Sequence, residues 1–145
     1  MNIETKYFGR MTVDEEKVIR FEKGLPGFQD EKAFVLIDFP DNPVFQILQS
    51  ITTALVAFVV ASPYHFNKEY SFDLEEQVKE ELSIARPEQV KVLSILTLRD
   101  PFVDSTINLQ APLIINIDSL IGQQIILADE YSSRTTMQAE KVKVD

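Results

Sequence analysis

Cysteine is absent from the 145-residue chain, which removes disulfide frameworks, thiolate nucleophiles and thiolate metal sites together. Tryptophan is absent as well, and histidine occurs once, as His65 in Pro63-Tyr64-His65-Phe66. No carboxylate close in sequence orients that imidazole for general-base work, and one histidine makes no metal cluster. Asp38 and Asp41 flank a turn, but two carboxylates fall short of the roughly six to eight oxygen ligands that calcium takes. No spacing among the 23 acidic residues singles out a hydrolytic pair. Long apolar runs are missing too. The longest, Ala54 to Ala61, has eight residues, against the roughly 20 that a membrane-spanning helix needs. The opening Met-Asn-Ile-Glu-Thr-Lys-Tyr has neither a basic stretch nor an apolar core, so no secretory signal is expected.

Basic charge is in deficit, with 14 Lys and Arg against 23 Asp and Glu, a formal net charge of −9. Such an excess repels phosphate backbones and argues against direct nucleic-acid binding. It favours encounter with basic proteins, including proteins that themselves bind RNA, or serves solubility alone.

The pattern that is present is β. From Ser105 to Asn116, Thr106, Asn108 and Gln110 fall on one face of a strand and Ile107, Leu109 and Ala111 on the other, before Pro112 interrupts the ladder. An amide-rich row of this kind faces water or meets another protein. Asn2–Phe8 and Lys17–Phe21 read as short strands that pair as a hairpin. In Phe21-Glu22-Lys23-Gly24-Leu25-Pro26-Gly27-Phe28, Pro26 and Gly27 suit the central positions of a type II turn, with Phe21 and Phe28 anchoring both ends in the core. Without a following helix or lysine, the two glycines make no phosphate loop. Ala33–Phe39 and Val44–Gln49 read as a hairpin across Pro40-Asp41-Asn42-Pro43. Ala54–Ala61 lacks alternation and is expected to be a central strand covered on both faces. Val90–Leu98 and Gln123–Ala128 complete the strands.

One helix is expected from Asp73, with Glu76 as its capping-box partner and Leu74, Val78 and Leu82 as a narrow apolar stripe. Glu75, Glu76, Glu80 and Glu81 then make an acidic face, either solvated or a docking surface for a basic partner. Together these elements predict a mainly β fold, an antiparallel β-barrel or sandwich-like domain with one short α-helical insertion. Residues 1–130 form the expected domain, and 131–145 a polar, weakly ordered tail.

Four stretches in this order, Phe21–Phe28, Phe45-Gln46-Ile47-Leu48-Gln49-Ser50, Pro63-Tyr64 with Tyr70, and Thr106–Asn116, resemble the bacterial flagellar assembly factor family FliW over nearly the whole chain. The resemblance implies a cytoplasmic, non-enzymatic regulator without cofactor or metal. It implies two mutually exclusive partners, flagellin and the RNA-binding translational regulator CsrA, whose repression of flagellin synthesis the released factor antagonises. Contact residues expected for these partners are the amide row Thr106, Asn108 and Gln110, the helix acids Glu75, Glu76 and Glu80, and the aromatic anchor Phe28. The competing readings are a small-molecule-binding or enzymatic β-barrel with an interior cavity, and a purely structural subunit.

Overall fold

The computed structural model describes residues 1–128 and 131–136. Strand β1 (Asn2–Thr5) turns back into β2 (Gly9–Thr12) as a separate antiparallel ribbon. Thr5 ties this turn, donating from its hydroxyl to the Gly9 carbonyl at 2.7 Å and accepting from the Phe8 N–H at 3.0 Å. The pairing expected between Asn2–Phe8 and Lys17–Phe21 is therefore replaced by a tighter local one. Strand β3 is left with Ile19–Arg20 and joins the main sheet instead.

The remaining elements are β4 (Ala33–Asp38), β5 (Phe45–Ser50), β6 (Ala57–Ala61), α1 (Pro63–Phe66), α2 (Glu76–Glu81), β7 (Val90–Thr97), β8 (Thr106–Ile107), β9 (Leu113–Asn116), β10 (Ile121–Gln124) and β11 (Thr135–Thr136). Strands β3, β4, β5, β6, β7, β9 and β10 close into a barrel, sealed by β7 against β9 and by a parallel pairing of β10 with β3. The other pairings are antiparallel, so the expected antiparallel barrel is what forms. The expected strand Gln123–Ala128 begins and ends earlier, as β10, because Leu113–Asn116 pairs with Ile121–Gln124. The Pro40–Pro43 turn does join a hairpin, β4 to β5.

Alternation along the strands separates two apolar layers. Ile19, Phe34, Leu48, Val60, Leu93 and Leu113 come from six barrel strands and fill the lumen with Phe21. The opposite faces, Val35, Ile37, Ile47, Val59 and Leu96, meet a cover of Ile3, Tyr70, Ile107 and Leu109. This double burial explains the lack of alternation within Ala57–Ala61; the expected strand begins three residues later than Ala54, because the chain is still turning there, with Val56 N–H bonded to the Thr53 carbonyl and Leu55 76% exposed. The cover continues past residue 130, where the sequence places the end of the domain, since Tyr131 packs on Tyr70 and β11 pairs with β8. The rest of the expected tail, 137–145, lies outside the described residues. Among the described residues no helix is long and apolar enough to cross a membrane.

Glu31 holds the turn between β5 and β6. Its carboxylate accepts from the hydroxyls of Ser50, Thr52 and Thr53. These bonds, the Ser50 one foremost, lower its pKa below the ordinary 4.5. A depressed folded-state pKa contributes stability above the unfolded value and loses it as pH falls through the folded value. Glu31→Gln is therefore expected to flatten the fall in melting temperature below pH 4.5. Superimposable acid profiles for the two proteins would contradict this role.

Candidate partner-docking face

The segment before α2 is extended because two tyrosines hold it. The buried Tyr70 hydroxyl donates to the Leu109 carbonyl at 2.6 Å. Burial raises its pKa above the ordinary phenol range, so it remains a donor. The Tyr131 hydroxyl accepts from the Ser71 N–H and donates to the Ser71 carbonyl, both at 3.1 Å, and its ring lies 4.5 Å from that of Tyr70. Asp73 is thereby kept outside the helix it was expected to cap. The helix starts at Glu76, with Glu75 as an N-cap whose side chain makes no capping bond. Of the expected helical stripe only Val78 lies within α2; Val78 and Leu82, the residue that ends the helix, are buried against Ile114, while Leu74 packs alongside from the extended segment.

This arrangement leaves a groove of about 450 Å³ between the extended segment and the linker from α2 to β7. Its apolar walls are Tyr64, Phe72, Leu74, Ile84, Val90 and Val92, and its rim carries Asp73, Lys79 and Arg86. A second cleft of about 410 Å³ lies on the other side of Phe72 and Asp73, walled by Ile126 and Leu127 and bordered by Glu75. Ile126 is 69% exposed, an apolar side chain presented to solvent beside the cleft. An apolar trough with a charged rim suits an amphipathic segment, whose apolar side fills the trough while its polar side meets the rim.

The expected contact residues divide into three groups. Glu75, Glu76 and Glu80 are exposed together on and beside α2, next to the groove. Glu76 pairs with Lys79 at 3.2 Å, and Glu81 with Lys23 at 2.9 Å. Phe28 is elsewhere: it is 41% exposed at the Leu25–Phe28 turn, edge-on to Phe58 at 5.5 Å, so only Phe21 of the two expected anchors is in the core. The amide row does alternate with buried Ile107, Leu109 and Ala111, but its strand edge is taken by the chain's own C-terminal segment. Leu127 N–H donates to the Gln110 carbonyl at 2.7 Å, Leu109 N–H to the Ser132 carbonyl at 3.1 Å, and Thr136 registers with Thr106. Asn108 is turned inward on itself, its Oδ1 accepting from the N–H groups of Gln110 and Ala111. All three residues are half-buried.

Phe72, Ile84 and Ile126 line the groove and cleft but were not singled out in the sequence. Ile126, two residues past the end of β10, carried a weak signal as the middle of an apolar triplet, Ile125-Ile126-Leu127, whose outer members hydrogen-bond back, to Pro112 and Gln110.

Residues 2–137 match the family model described as FliW protein. The flagellar assembly factor FliW of Bacillus subtilis (strain 168) is 46% identical over 136 residues, covering 94% of each chain. That of Oceanobacillus iheyensis is 42% identical over 144 residues, covering 99% of this chain and 98% of the other. A crystal structure of the flagellar assembly factor FliW superposes with a TM-score of 0.90 at 39% identity, covering 94% of this chain and 96% of that one.

Proposed function

The chain belongs to the FliW family, and from that membership we propose that it is a non-enzymatic, cytoplasmic flagellar assembly factor. It binds flagellin in a chaperone-like manner and, once released, binds CsrA and relieves repression of flagellin translation. The observation that carries this reading to particular residues is the apolar groove beside the acidic helix. The groove suits the apolar side of a helical segment. The acids suit the attraction of a basic partner, which raises association rates more than final affinity.

The barrel lumen gives the interior-cavity reading less support, because Phe21, Phe34, Leu48, Val60 and Leu113 occupy it and a lumenal ligand would have to displace them.

The test is the double reversal Glu76→Lys with Glu80→Lys. Both side chains are exposed, and the lost Glu76–Lys79 pair is of the solvent-exposed kind that contributes little to stability. Association with CsrA at low ionic strength is expected to slow by about tenfold and to lose most of its salt dependence. Unchanged association at low salt would reduce the acidic row to a solvated face.

A further inference from the structure

The six-residue α2 has no side-chain cap and is too short to persist without help from its surroundings. Its apolar side rests on Ile114, and two residues further along the same face of β9 is Asn116, 1% exposed. Asn116 spends its whole hydrogen-bonding capacity on two separate elements. Its Nδ2 donates to the carbonyls of Leu82 and Ser83, at 2.8 and 3.2 Å, where the last turn of α2 leaves carbonyls without helical partners. Its Oδ1 accepts from the N–H groups of Asp118 and Ser119, at 2.9 and 3.2 Å, in the turn between β9 and β10. Two carbonyls on one side and two N–H groups on the other fix which way the amide points. Ser83 itself sits at φ 55°, a left-handed exit that sends the linker into the groove wall at Ile84.

A second amide closes the same linker from outside. Gln89 Oε1 accepts from the N–H groups of Ala85 and Arg86, at 2.7 and 3.0 Å, and its Nε2 donates to Asp118 at 3.1 Å. The two amides thus join the helix exit and the groove wall to one turn.

We propose that Asn116, with Gln89 as its outer partner, is the positioning residue of the docking face: it holds the groove wall and the acidic helix in the pose that partner binding requires. This rests on the docking reading above, and the test separates the two. Asn116→Asp keeps the size and the acceptor toward Asp118 and Ser119 but sets an ionised oxygen against the Leu82 and Ser83 carbonyls. Protonation returns one O–H donor; burial and the facing carbonyls raise the pKa of that acid, against the lowering by the two N–H bonds it keeps from Asp118 and Ser119. The charged groups on the surrounding elements, Glu80 and Glu81 on α2, Arg86 and Glu88 on the linker, Lys91 on β7 and Asp118 on the turn, are common to both proteins. A difference in pH profile therefore isolates position 116.

Affinity for monomeric flagellin and for CsrA is measured from about pH 8 to about pH 5.5, with hydrogen exchange over 76–86. The expected result for Asn116→Asp is faster exchange over that segment and about tenfold weaker binding of CsrA, the basic partner assigned to the acidic helix, at the upper pH, recovering relative to the parent as pH falls. Faster exchange with parental binding, while the Glu76 and Glu80 reversal still weakens association, would overturn the positioning role and leave the docking face standing. If neither the reversal nor Asn116→Asp alters binding, the docking reading fails and this role fails with it. Should Asn116→Asp not fold, Gln89→Met, which opens the outer clasp at a partly exposed position, is judged by the same exchange and affinity criteria without the pH arm.

Discussion

Phe21→Ala is expected to lower the free energy of unfolding by about 3–5 kcal/mol, a large share of the total for a domain of this size. Phe21 is fully buried and stands edge-on to Phe34, with ring centroids 5.6 Å apart and planes at 89°. Strand β10 is built around it: a Cβ added at Gly122 would lie 2.7 Å from the ring, so the neighbouring backbone already sits against the phenyl face. Truncation leaves a cavity that the closed ladder, sealed by β7 against β9 and β10 against β3, has little freedom to collapse. The comparison is Phe28→Ala, at the other end of the same eight residues. That ring is 41% exposed, and its loss is expected to cost about 1 kcal/mol. Denaturant midpoints measure both. Equal losses would mean that the barrel does not depend on a filled lumen.

Gly24→Ala is expected to cost about 2–5 kcal/mol, from two separate causes. Gly24 takes φ +66°, where an L side chain is strained, and an added Cβ would come within 2.5–2.7 Å of the Gln29 backbone. The Gln29 backbone cannot retreat simply, because Leu25 and Phe28 on its near side exchange backbone hydrogen bonds at 3.3 and 2.7 Å and Leu25 is buried. Gly27→Ala separates the causes. Its φ is +83°, but an added Cβ meets nothing within 4 Å, so it carries the conformational strain alone, about 1–2 kcal/mol. Thermal unfolding of the two variants side by side reads the difference. A larger loss at position 27 than at 24 would contradict the close approach to Gln29.

Where neighbours in sequence are neighbours in space, the sequence was a good guide. The β4–β5 hairpin follows from two β-branched and aromatic runs across a Pro-Asp-Asn-Pro turn. The left-handed glycine after Pro26 and the burial of Val78 and Leu82 one turn apart are equally local. What escaped it depends on distant partners. Lys17–Phe21 carries the composition of a strand, but whether it pairs with the N-terminal ribbon or with β4 and β10 is decided by register across the barrel. Asp73 has the chemistry of a cap, yet Tyr131, 58 positions further on, holds the adjacent Ser71 in extended geometry. The amide row alternates as expected, but its edge is closed by Leu127, Ser132 and Thr135–Thr136, and the polar composition around the last three gives no strand signal until Thr106 and Ile107 are there to pair with it.

The candidate face was half visible for the same reason. Glu75, Glu76 and Glu80 lie within six consecutive residues at the helix start and could be grouped by periodicity. The groove beside them draws Tyr64, Phe72, Ile84 and Val92 from four separate stretches, and Asn116 holds the exit of the helix from a fifth. Nothing in the spacing of those residues predicts that they meet.

The proposed switch between two partners on one protein is tested most directly by calorimetry. Flagellin monomer and CsrA are each titrated into the free protein, and CsrA is then titrated into the preformed flagellin complex. Saturable binding of each alone, with CsrA entering the preformed complex only as flagellin leaves it, is the expected result. Simultaneous binding of both at undiminished affinity, or binding of neither by folded and active partners, would contradict the account.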